Sequence, residues 1–136
     1  MTRVGVVGAT GYAGAELVRI LSTHPEVQLT VLTSRQYIGV RFDAIFPALS
    51  GRVGLACEKY DADTVSDKTD VVFTALPHQL PMAFVPDIIK HGLKVIDLSA
   101  DFRFNDAAVY ESAYQPHTAK ELLKSCVYGL SEIYTD

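Results

Sequence analysis

The run Val4-Gly5-Val6-Val7-Gly8-Ala9-Thr10-Gly11-Tyr12-Ala13-Gly14 constrains this chain more than any other stretch. A short apolar segment, a turn punctuated by glycines 8, 11 and 14, and a following helical pattern read as buried strand, tight turn and helix start. Such a turn gathers several backbone N–H groups and the positive end of a helix dipole at one point, where a pyrophosphate fits. The spacing is G-x-x-G-x-x-G, not the usual G-x-G-x-x-G dinucleotide fingerprint, and the flanking strand and helix strengthen the reading.

Residues 3–7 form the first expected strand. A helix over 11–22 places Ala13, Leu17, Val18 and Leu21 on one face, and His24-Pro25 closes it. Residues 27–33 (VQLTVLT) are a second strand, completing a βαβ unit. Residues 34–54 read as a loop with one short helix at 42–46, and 55–60 as a strand. Residues 70–75 and 94–98 are further strands. Between them a helix over 82–91 turns Phe84, Val85, Ile88 and Ile89 inward, with Gly92 as its C-terminal cap. Residues 106–114 and 118–124 are expected helices, and 126–128 a last short strand. Strands alternating with helices predict an α/β fold, a doubly wound parallel sheet of the Rossmann-like kind, as one domain over residues 1–136.

Composition narrows the partners. The chain has 136 residues, 49% hydrophobic and 21% charged, with a formal net charge of −4. That balance suits a soluble globular domain and argues against nucleic-acid or anionic-membrane partners. No apolar run approaches the length of a membrane span. Cys57 and Cys126 are far apart with no C-x-x-C, so neither a disulfide framework nor a metal site is expected. These features predict a cytoplasmic protein.

In a parallel sheet, ligands bind beyond the C-terminal strand ends. At the first end, Gly8, Thr10, Gly11, Tyr12, Ala13 and Gly14 are the candidate pyrophosphate cradle. The second strand ends in Thr33-Ser34-Arg35, without the acid that binds a ribose 2′-hydroxyl in NAD enzymes. A hydroxyl and a guanidinium at Ser34 and Arg35 suit a 2′-phosphate, which predicts NADP over NAD. The third strand leads into Leu76-Pro77-His78, expected beside the ribose and nicotinamide, although His78 reads more readily as a turn cap than as a base. The fourth leads into Asp97-Leu98-Ser99-Ala100-Asp101-Phe102-Arg103. Ser99 is a candidate cofactor contact there, and Arg103 either an anion ligand or the partner of Asp101 in an ion pair.

Together VGVVGATGYAGAELVRIL, Thr33-Ser34-Arg35, FTALPHQ, KVIDLSADFRF and VYGLSE resemble the N-acetyl-gamma-glutamyl-phosphate reductase family of arginine biosynthesis. The resemblance implies NADPH-dependent reduction of an acyl phosphate to a semialdehyde through a cysteine thioacyl intermediate. It also implies that Arg103 helps hold the anionic small-molecule substrate. The family's nucleophile lies in a Gly-Cys-aromatic motif soon after the VYGLSE segment, and Asp136 is reached before any such motif. Neither Cys57 nor Cys126 matches it, so no catalytic residue is assigned. The expectation is therefore an amino-terminal cofactor domain of a longer, homo-oligomeric reductase, inactive alone, its substrate domain lying elsewhere. Reductases of carrier-bound glutamyl or aminoadipyl phosphates, aspartate-semialdehyde dehydrogenase relatives, and a stand-alone NADP-binding sensor are the alternatives.

Overall fold

The computed structural model describes residues 1–133. Four parallel strands form one sheet in the order β2-β1-β3-β4: β1 Thr2–Val7, β2 Val27–Thr33, β3 Val71–Thr74 and β4 Lys94–Asp97. The helices are α1 Tyr12–Leu21, α2 Phe42–Ile45, α3 Ala62–Lys68, α4 Pro81–Lys90 and α5 Ala107–Ala113. Val4 and Val6 of β1 pack on one face with Val18, Leu21, Phe42 and Leu49. Val7 packs on the other face with Val65 of α3 and Ile88 of α4. Helices therefore cover both faces, and the sheet is doubly wound as expected. From β1 the chain passes to β2 on one side and then crosses from β2 to β3 on the other, so the switch point lies at the end of β1, beside the glycine turn.

A bulge adjusts β2. Its pairing passes from Val4–Leu29 to Gly5–Val31, leaving Thr30 over, with the Thr30 hydroxyl donating to Val4 O at 3.3 Å. The extra residue reverses the facing of the strand, so Val27 and Leu29 before it and Leu32 after it share one core.

Several boundaries differ from the sequence reading. Residues 55–60 are not a strand; they touch the sheet through a single parallel bridge from Glu58 to Thr33 and then turn into α3. Residues 126–128 join no ladder. They lie along the β4 side with Val127 exposed, opposite the exposed Ile96 and Leu98. Residues 118–124 shrink to one 3-10 turn, Lys120–Leu122. Helix α1 stops at Leu21, before His24-Pro25, and Ala13 and Ile89 face solvent while Gly14 and Met82 are buried instead. Gly92 does follow α4 with φ +78°, its amide bonded to Ile89 O at 2.8 Å.

At the end of α4, His91 offers Nδ1 to Asp87 O at 2.7 Å and Nε2 to Asp63 on α3 at 3.0 Å. The carbonyl first, then the carboxylate, raise its pKa above the ordinary 6.5. The added stability is present below that value and is lost as pH rises through the raised one. The melting temperature of the wild type should therefore fall relative to His91→Gln as pH is taken from 6 to 8. Parallel curves for the two proteins would contradict this.

Candidate functional site

The glycine turn is built by close approach. Gly8 takes φ +86°, and a Cβ there would sit 2.6 Å from Ala75 O and 2.8 Å from Leu76 Cδ2. A Cβ on Gly14 would collide with Gly8 O and lie 2.9 Å from Ala9 C, so α1 rests directly on the turn. Gly11 differs: its backbone is extended and its nearest potential contact is 3.7 Å away. The turn is pinned to β2 by Gly8 N–H donating to Thr33 Oγ1 at 3.3 Å and Ala9 N–H to Thr33 O at 3.0 Å. The amides of Thr10, Tyr12, Ala13 and Gly14 donate to nothing among the described residues, and no side chain caps α1. Four free donors at the positive end of a helix are a site for an anion held by backbone. The Tyr12 side chain projects wholly into solvent, at the mouth of an open cleft of about 670 Å³ between α1 and the 37–52 segment.

Ser34 stands at the end of β2, buried, with Oγ 2.8 Å from Thr10 Oγ1 and accepting from Tyr37 N–H at 3.2 Å. Whichever of the two hydroxyls donates to the other, one proton of the pair remains for a ligand. Beside them a narrower cleft of about 350 Å³ runs from Gly8 past Ser34 and Arg35 to Leu76 and Leu80. Its walls are apolar, with Tyr60 set edge-on to Phe84 at a centroid distance of 4.6 Å. Tyr60 Oη is buried without a hydrogen-bond partner among the described residues, and burial first, then Asp87 and Asp61, push its pKa up to about 12. Lys59 also lines this cleft. Arg35 and Lys59 are exposed and take part in no ion pair among the described residues.

On the β3 and β4 side the polar groups mostly satisfy one another. Asp97 accepts from Thr74 Oγ1 at 2.7 Å and from Ser99 Oγ at 2.6 Å, and Ser99 Oγ accepts Asp101 N–H at 3.0 Å. His78 Nδ1 accepts the Ala100 amide at 3.1 Å, so the ring ties two loops together. Asp101 is completely buried and forms no pair with Arg103. Its carboxylate instead accepts from Gln79 N–H at 2.9 and 3.0 Å, Met82 N–H at 3.2 Å and Tyr110 Oη at 2.8 Å. Gln79 is held at φ +82°, the one non-glycine residue with positive φ among those described, a conformation costing about 1–2 kcal/mol. Arg103 lies exposed over the Tyr128 ring at 5.6 Å, in a separate cleft with Ile96 and Phe102.

The structure thus gathers Gly8, Thr10, Gly11, Tyr12, Ala13, Gly14, Ser34, Arg35 and Leu76 around one region. Pro77, His78 and Ser99 stand aside from its clefts, and Arg103 lies in the other one. Sequence reasoning missed Lys59, Tyr60 and Leu80, which arrive through the Thr33–Glu58 bridge and the strained loop. Burial raises both thiol pKa values, at Cys57 and at Cys126, the reverse of an activated nucleophile. No helix among the described residues is long and apolar enough to cross a membrane.

Comparison with known proteins places this geometry. The N-acetyl-gamma-glutamyl-phosphate reductase of Desulforapulum autotrophicum is 51% identical over 136 residues, all of this chain and 39% of that protein. That of Heliobacterium modesticaldum is 53% identical over 134 residues, 98% of this chain and 38% of its own length. The chain thus spans about two fifths of the length of the curated relatives it matches. Among solved structures, aspartate semialdehyde dehydrogenase with NADP from Candida albicans superposes with a TM-score of 0.66 at 22% identity, over 76% of this chain and 31% of that one. Aspartate semialdehyde dehydrogenase II of Vibrio cholerae gives 0.57 at 20%, over 76% and 30%. Those two likenesses carry the fold. The profile described as "Semialdehyde dehydrogenase, NAD binding domain" matches residues 3–136, and the chain belongs to that family.

Proposed function

We propose that this chain is the cofactor-binding portion of an N-acetyl-gamma-glutamyl-phosphate reductase and that its cofactor is NADP(H). The observation that carries the reading is the row of free amides at Thr10, Tyr12, Ala13 and Gly14, beside a cleft bordered by Arg35 and Lys59. Identities near one half to reductases of that name, over the whole chain, support the substrate class. The amides and the Thr10–Ser34 hydroxyl pair would hold the pyrophosphate, and the apolar walls at Leu76, Leu80 and Phe84 would take the adenine. The guanidinium of Arg35 and the ammonium of Lys59 would meet the 2′-phosphate. When bound, the nicotinamide supplies the hydride that reduces an acyl phosphate to an aldehyde.

Catalysis is assigned to the remainder of a longer, homo-oligomeric cytoplasmic enzyme, whose nucleophilic cysteine lies outside this chain. The exposed apolar strip of Ile96, Leu98, Val127 and Tyr128 is a surface such a remainder would cover. Arg103, which pairs with no carboxylate among the described residues, would reach the substrate from that side. The test is a fluorescence titration with NADPH, followed by addition of N-acetyl-gamma-glutamyl phosphate. Saturable binding with no oxidation of NADPH is expected. Absence of binding would overturn the cofactor assignment, and turnover by the chain alone would overturn the placement of the nucleophile.

A further inference from the structure

The buried group that the proposed chemistry does not use is Asp101. We propose that Asp101 is a positioning residue for the dinucleotide: it locks Gln79 in its left-handed backbone and thereby sets Leu76 and Leu80 as walls of the adenosine cleft. The inference rests on the NADP reading above and goes beyond it by assigning a role in cofactor binding to a residue that lies outside the cleft.

Four observations carry it. The carboxylate is wholly buried and has no cationic partner among the described residues, yet both oxygens are filled by donors from other elements. Two of those donors, Gln79 N–H and Met82 N–H, bracket the end of the β3–α4 loop and the first turn of α4. Gln79 is strained, and backbone strain persists only where the surroundings over-determine it. The same loop carries Leu76, which stands against the Gly8 turn, and Leu80, and both line the cleft with Ser34 and Arg35. The Tyr110 hydroxyl donates to Asp101 as well, and that ring stacks on Tyr114 at 4.9 Å. The third donor thus comes from α5, so the loop is braced from outside the sheet.

Asparagine in place of Asp101 keeps the shape but presents an NH₂ where an oxygen stood. Each oxygen faces at least two donors, so either orientation sets donor against donor. Gln79 is then free to leave its left-handed conformation, and the wall moves with it. Glycine at 79 occupies that conformation without strain and should need no lock.

The experiment measures NADPH affinity, melting temperature and amide exchange at Gln79 and Met82 in the 136-residue chain. Asp101→Asn should weaken NADPH binding at least tenfold and speed exchange at both amides. Gln79→Gly alone should bind as the wild type does. Gln79→Gly added to Asp101→Asn should recover most of the lost affinity while the lowered melting temperature stays low. Tyr110→Phe, which removes one donor and leaves the carboxylate in place, should give a smaller loss and serves if Asp101→Asn does not fold. Unchanged affinity in Asp101→Asn or in Tyr110→Phe despite a lower melting temperature would overturn the proposal, as would failure of Gln79→Gly to rescue. A wild type that does not bind NADPH would overturn the cofactor reading and this inference with it.

Discussion

Gly14→Ala should lower the melting temperature by roughly 5 to 15 °C, from an overpacking cost of about 1–3 kcal/mol, and abolish measurable NADPH binding. The added Cβ meets backbone on two sides, Gly8 O and the carbonyl carbon of Ala9, and neither can swing away as a side-chain end would. Relief requires α1 to lift from the turn, which takes the amides of Tyr12, Ala13 and Gly14 out of register with that of Thr10. Gly11→Ala is the control. Its Cβ meets nothing nearer than 3.7 Å, and its φ of −73° suits alanine. The melting temperature should hold within a few degrees, while a methyl among the free amides weakens NADPH binding about tenfold or more, because backbone there must approach the pyrophosphate closely. Thermal melts and fluorescence titrations of the two variants separate glycine as packing from glycine as access. Equal effects at both positions would contradict the assignment.

The glycines also show what could be read ahead of the structure. Strands β1 to β4 were legible because strands covered on both faces are continuous apolar runs, and VGVVG, VQLTVLT, DVVFTA and KVIDL are such runs. The turn was legible as glycine chemistry, yet the unequal duties of Gly8, Gly11 and Gly14 depend on which backbone lies opposite each. Helix α3 was not legible. It buries Val65 alone, so no periodicity marks it, and its local sign was the Asp61 carboxylate accepting from Thr64 N–H at 2.8 Å. The Thr64 side chain first, then that backbone bond, hold the Asp61 pKa below its ordinary value. The partners of Asp101 were not legible either, for a related reason. Standing two residues from Arg103 in sequence, Asp101 offered an ion pair as one of two alternatives, whereas its actual partners at 79, 82 and 110 are brought to it by tertiary packing. Lys59 escaped notice because 55–60 looked like a strand of the sheet, not a segment crossing its end.

Arg35→Ala should reduce NADPH affinity about ten- to a hundredfold and leave NADH nearly unchanged, since a charge-assisted hydrogen bond to phosphate contributes roughly 1.5–3 kcal/mol. Lys59→Ala should act in the same direction and more weakly, because an ammonium makes a less directional contact than a guanidinium fork. Both side chains are exposed and outside every ion pair among the described residues, so neither variant should alter the melting temperature of the free protein by more than a degree or so. The double variant carries the sharper test. If the two cations meet one 2′-phosphate, their losses will not add, and the NADPH-to-NADH preference should approach unity. The preference should also narrow with rising salt in the wild type and stay flat in the double variant. Equal losses for both cofactors would mean that the two residues shape the cleft without reading the phosphate. The preference would then have to come from the Thr10–Ser34 hydroxyl pair, whose one spare proton cannot by itself balance a dianion.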